Sequence, residues 1–187
     1  MRFSRDMFLL SFYLRGIPFV DLVHLRKTDV KHNTIYYYRH KTRQQLSVHI
    51  ESYAAQIINR YKNEAASSPY LLLILSLTGE DGYRQYKSAL RLYNQHLHTL
   101  SKMLRLSIPL TSYVARHSWA TTAKDEGVAI SVISESLGHT SEKVTHVYLA
   151  SFDNNAMSKA NKKVIATIHP NKKKKPSKQE FVKVFLF

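Results

Sequence analysis

Four polar side chains, scattered along 187 residues, are of types that can carry chemistry. They are Lys41, Arg116, His139 and, nine positions after the histidine, Tyr148. A guanidinium is a planar fork of donors that can grip two oxygens of one anion at once. An imidazole and an ammonium add hydrogen-bond donors. A phenol, with a pKa of about 10, is a poor nucleophile at neutral pH unless a proton acceptor or positive charge stands beside it. Taken singly, each residue also has a plain structural reading. A hairpin lysine is most often solvated, and an arginine early in a helix most often lies at the surface or in a salt bridge. A Gly-His corner is most often a turn, and a tyrosine at the end of an apolar helix most often belongs to the core.

Composition narrows the partner. Lys and Arg number 28 against 13 Asp and Glu, a formal net charge of +15. Such an excess points to a polyanion, usually a nucleic acid. From Lys162 onward there are eight lysines and one glutamate, so the remainder of the chain is basic on its own account. With 44% hydrophobic residues the chain can build a real core. It has no cysteine, which excludes a disulfide scaffold, thiolate zinc sites and cysteine nucleophiles. The longest apolar run, Leu71 to Leu75, is far too short to cross a bilayer. The N-terminus lacks the pattern of a secretion signal, so a cytoplasmic protein is expected.

The elements that must position the four residues follow from periodicity and turn chemistry. A helix over 5–14 should end near Arg15, before Gly16 and Pro18. Pro18 suits the first turn of a second, short helix carrying Phe19, Leu22, Val23 and Leu25. The runs TIYYYRH and QLSVHI around KTRQ predict a β-hairpin bearing Lys41. Residues 51–62 read as a helix with Ala54, Ile57, Ile58 and Tyr61 on one face, TGEDG (78–82) as a loop, and Tyr83 to Leu106 as a long amphipathic helix. Thr111 or Ser112 could cap a helix reaching about Asp125 and closed by Gly127. Two shorter helices, 130–137 and 141–148, flank the Gly138-His139 corner, and a last one covers 153–166. The fold class is α+β, mainly helical with a small antiparallel sheet. One domain over 1–169 is expected, followed by a basic, flexible tail over 170–187.

The segment ARHSWATTAKDEGVAISVISESLGHTSEKVTHVY resembles the C-terminal signature of the tyrosine recombinases, the phage-integrase family. Arg116-His117, Ala120-Thr121, Gly127, Leu137-Gly138-His139 and Tyr148 all fall in place. Upstream, LVHLRKTDV (22–30) resembles the family's L-x-x-L-R-W-x-D-I segment, and Lys41-Thr42 sits where its hairpin lysine sits. The resemblance covers roughly residues 5–165. It implies metal-free phosphoryl transfer at a DNA phosphodiester, with no cofactor. Tyr148 would attack the phosphorus, Arg116 would hold the charged transition state, His139 would hydrogen-bond the scissile phosphate, and Lys41 would protonate the leaving 5′-oxygen. It also implies double-stranded DNA as partner, a homo-tetramer on DNA, and a chain that is monomeric alone. The family's N-terminal domain that grips core DNA would be absent, since the chain begins almost directly with the catalytic domain. The alternative is a catalytically inactive DNA-binding module of the same fold. Arg116→Ala is expected to abolish cleavage with little loss of fold stability.

Two positions depart from the family. Pro18 occupies the place of its first arginine, and Arg15, three residues earlier, is the substitute that the sequence offers. Arg15 could instead bind backbone phosphate or pair with Asp21. The histidine three residues before the second arginine is Tyr113, which can donate a hydrogen bond to phosphate but is a weak general base at pH 7. His117 points to another helix face and reads as structural, and Arg26 sits at a non-catalytic position.

Overall fold

A computed structural model describes residues 1–150. The chain falls into two compact units, Met1–Thr145 and His146–Phe187. The helix expected over 153–166 and the tail expected from 170 lie outside the described residues. Seven helices are described: α1 (Arg2–Tyr13), α2 (Phe19–His24), α3 (Ser52–Tyr61), α4 (Gly79–Met103), α5 (Val114–Asp125), α6 (Ile130–Leu137) and α7 (Glu142–Ala150). A short 3-10 helix (Lys27–Asp29) and a three-stranded antiparallel sheet, in the order β1 (Val30–Lys31), β2 (Thr34–Tyr38), β3 (Gln45–His49), complete the described elements. The α+β class stands. None of the described helices is long and apolar enough to cross a membrane.

Within the first unit α1 is the hub. It packs on α3, α4 and α5, while α2 rests on α4 and α6 on α5. Met7, Leu10 and Leu14 bury its apolar face. Asp6 is also fully buried, accepting hydrogen bonds from Tyr61 Oη at 2.7 Å and from Arg5 and Arg60. A buried carboxylate survives there because three donors replace its lost water. After α1 the chain reverses through two left-handed residues, Arg15 (φ 57°) and Gly16 (φ 69°). The tightness of this turn lets α5 lie directly on Gly16. A Cβ on Gly16 would stand 2.7 Å from Arg116 Cα.

The sheet extends the expected hairpin by one short strand, β1, paired through Val30 and Ile35. Alternation decides its faces. Ile35 and Tyr37 point inward from β2, opposite Val48 and Leu46 of β3, while Tyr36, Tyr38, Ser47 and His49 point out. The connection runs over 39–44, pinned by Arg39 N–H to Gln44 O at 2.9 Å and Arg43 N–H to Arg39 O at 2.8 Å.

Two local expectations change. The GEDG stretch is the first turn of α4 rather than a loop, with Glu80 and Asp81 at the positive end of the helix dipole. Tyr113, not Thr111 or Ser112, stands at the N-cap of α5 without a side-chain cap bond. The Thr111 hydroxyl accepts from the Tyr113 N–H at 3.4 Å, and the Ser112 N–H is taken by Asn94 Oδ1 at 2.8 Å.

Candidate active site

The site is built around the C-terminal end of α6. Gly138, in the left-handed conformation (φ 62°), closes that helix, with Gly138 N–H bonded to Glu135 O and His139 N–H to Ser134 O. This paired closure is the Schellman arrangement, which turns the next carbonyls away from the helix. Two guanidiniums take them. Arg116, 1% exposed, donates through Nη2 to Leu137 O and through Nη1 to Gly16 O at 3.0 Å. Arg39, 6% exposed, donates through Nη1 to Gly138 O at 2.9 Å, where Thr42 Oγ1 also donates at 3.3 Å. Cations at a helix C-terminus also meet the negative end of its dipole. A Cβ on Gly138 would lie 2.9 Å from Arg39 Cδ, so the corner must be glycine for that side chain to pass.

His139 follows the two carbonyls. Its Nε2 lies 3.4 Å from Arg116 Nη2 and its Nδ1 lies 2.8 Å from Thr145 Oγ1. Arginine can only donate, so in this arrangement Nε2 accepts and the imidazole proton sits on Nδ1, donated to Thr145. Burial, reinforced by the charges of Arg116, Arg39 and Lys41, pushes the His139 pKa down to about 4. The ring is therefore neutral at physiological pH. In an unfolded chain it titrates near 6.5, so the unfolded state binds a proton first as pH falls. The protein should lose stability from about pH 6.5 downward, the loss levelling off near pH 4. Burial shifts His117 and His40 in the same direction. Thermal melts should therefore show a shallower pH dependence in His139→Gln than in wild type between about pH 7 and pH 5, and parallel curves would refute the assignment.

Asp21 anchors the other side. It is buried, accepts the His40 N–H at 2.9 Å through Oδ1, and sets Oδ2 3.7 Å from Arg39 Nε. Burial holds its pKa above the ordinary value, although the His40 amide and the Arg39 charge pull the other way. Buried Tyr37 stands in the same field, its phenol pushed up by burial and by Asp21 and drawn back by Arg116, Arg39 and Arg15.

Of the residues expected from the sequence, Arg116 and His139 meet directly. Lys41 is exposed in the 39–44 connection, close enough to His139 for its charge to act there. Arg15 reaches the sheet, with Nη1 3.5 Å from Ser47 O. Asp21 pairs with Arg39 and His40 rather than with Arg15. Tyr113 is 48% exposed and sets its ring edge-on to His117, 4.8 Å between centroids. Tyr148 belongs to the second unit, two residues before the end of α7. Sequence reading missed Arg39, Thr145 and the close approach at Gly16. The signal for Arg39 was present: it continues the inward alternation of Ile35 and Tyr37, and an inward-facing arginine needs a partner.

Among curated proteins there is no match. Solved structures of similar fold include the XerA recombinase, at 17% identity and a TM-score of 0.59, covering 92% of this chain and 65% of that one. The Tn1549 transposon integrase in complex with a circular intermediate DNA is similar at 15% identity and a TM-score of 0.53, over 84% of this chain and 57% of that one. The XerH site-specific recombinase bound to difH substrate is similar at 18% identity and a TM-score of 0.51, over 84% and 46%. The chain thus spans less than two thirds of each of these proteins. The model of the phage integrase family matches residues 5–155, most of the chain, and on that match the chain belongs to the phage integrase family of tyrosine recombinases.

Proposed function

We propose that the chain is the strand-breaking part of a site-specific DNA recombinase that integrates or excises a mobile element. One observation carries the reading: two buried guanidinium side chains and an imidazole converge on one helix corner, where the charge of exposed Lys41 also acts. Such a cluster of donors suits the negative charge that develops on the non-bridging oxygens of a phosphate under attack. In this reading the Tyr148 oxygen bonds to phosphorus and the bond from phosphorus to the 5′-oxygen breaks. The phenolic proton passes to solvent, and the leaving oxygen takes a proton from the Lys41 ammonium. The product is a 3′-phosphotyrosyl link and a free 5′-hydroxyl. The link conserves the bond energy, so a second strand can reverse the step. Arg116 holds the phosphate, and neutral His139 donates to it as the Nε2–H tautomer, its Nδ1 then accepting from the Thr145 hydroxyl. The working complex is four copies on double-stranded DNA. The XerH and Tn1549 structures, both with DNA bound, support a DNA partner.

The second reading is an inactive DNA-binding module, favoured by Pro18 in place of the first arginine and by Tyr113 in place of histidine. A pool of nicked duplexes of randomised sequence separates the two. Incubation followed by a denaturing gel should show a covalent protein–DNA adduct that disappears in Tyr148→Phe. Retarded DNA on a native gel with no adduct on the denaturing one would establish the inactive module instead.

A further inference from the structure

The missing first arginine leaves the phosphate with one guanidinium where the charge of the transition state calls for more than one cation. Arg15 does not obviously fill the gap, since it extends along the sheet from a left-handed backbone position toward Ser47 O. Arg39 stands at the corner after α6 instead. Its Nη1 holds Gly138 O, the carbonyl next in sequence to the one held by Arg116. Its Nε faces Asp21 Oδ2 at 3.7 Å, beyond hydrogen-bond reach, and both of these buried atoms lack a hydrogen-bond partner. As pure scaffolding this is a poor arrangement, because buried charged groups with unmade hydrogen bonds are destabilising. It suits a guanidinium that is held from behind by a carboxylate and keeps donor capacity for an incoming anion. The field of Arg39 already reaches His139 and Tyr37.

Resting on the recombinase reading above, we propose that Arg39, carried in by the inward alternation of β2, contacts the scissile phosphate in place of the absent first arginine. Asp21 is then its positioning residue. The order of parts differs from the expected one. The cation comes from the strand end two residues before Lys41, and a proline is free to open α2.

The test uses the 187-residue protein and two probes. The first is the pool of nicked duplexes, made once with an ordinary phosphate beside the nick and once with a methylphosphonate, whose non-bridging methyl carries no charge. Arg39→Ala should slow adduct formation by about 10²–10³-fold on phosphate, and by less than about tenfold on methylphosphonate, since the charge it meets is gone. Arg39→Lys, which keeps the charge but loses the fork, covers the case in which Arg39→Ala fails to fold, and should show the same narrowing. The second probe is orthovanadate, followed by the broadening of its vanadium resonance, which Arg39→Ala or Arg39→Lys should reduce. Equal penalties on the two DNA substrates, undiminished cleavage, or loss in Arg15→Ala but not in the Arg39 variants would overturn the assignment. Vanadate binding that ignores Arg39 would do the same. Arg39-dependent vanadate binding by a protein that forms no adduct would sink the recombinase reading while leaving the anion contact standing.

Discussion

Replacing Arg116 with alanine should lower covalent adduct formation by about 10²–10³-fold and, in the same variant, destabilise the fold by about 2–4 kcal/mol. The first effect follows from its place beside His139 at the end of α6. The second corrects the expectation that this residue could be removed with little loss of stability. Arg116 is 1% exposed and its fork ties Gly16 O to Leu137 O, two carbonyls 121 residues apart in sequence. Two buried acceptors lose a charged donor together, and a cavity opens beside them. Arg116→Lys separates the two effects. A lysine retains the charge but cannot span both carbonyls, so it should recover part of the melting temperature and little of the cleavage. Full cleavage by the lysine variant would show that charge alone matters at this position.

Gly16→Ala should be nearly as damaging, although glycine 16 bears no chemistry. Its φ of 69° disfavours any L side chain, by about 1 kcal/mol. The heavier cost is steric, because the new Cβ would fall 2.7 Å from Arg116 Cα, a backbone atom that moves only if α5 moves. Overpacking of this kind costs about 1–3 kcal/mol more. A shift of α5 by about 1 Å would carry the Arg116 guanidinium off target, which can cost about 10²-fold in rate. Gly127→Ala is the matched control. Its φ is 82°, equally left-handed, but nothing lies within 4 Å of the added Cβ. It should melt about 1 kcal/mol lower and form adduct at the wild-type rate. Equal losses in both variants, by thermal melt and adduct assay, would reduce the role of Gly16 to its backbone conformation.

The helix reading was most accurate where local patterns settle the matter. Pro18 opens α2, the apolar face of α3 carries Ala54, Ile57 and Tyr61, and Gly138 closes α6, because caps, prolines and periodicity act within a few residues. The errors were also local and small. GEDG looked like a loop because glycine and acidic residues favour turns, but the same acidic residues suit a helix N-terminus. β1 escaped notice because two residues leave no periodicity to detect.

What the sequence by itself determined is the inventory: a phenol, an imidazole, an ammonium and guanidiniums at set spacings, a strand whose alternation turns residue 39 inward, and glycines at 16 and 138. Only the tertiary structure decided which cations meet at one helix corner. Arg39 meets Gly138 across 99 residues and Arg116 meets Gly16 across 100. Those meetings depend on how closely α5 can lie on the turn after α1 and on where the end of β2 meets the corner after α6. Spacing along a chain fixes directions over a turn or two of backbone. The distance between two guanidiniums is fixed by side-chain volumes packed between segments far apart in sequence, and no local pattern encodes that.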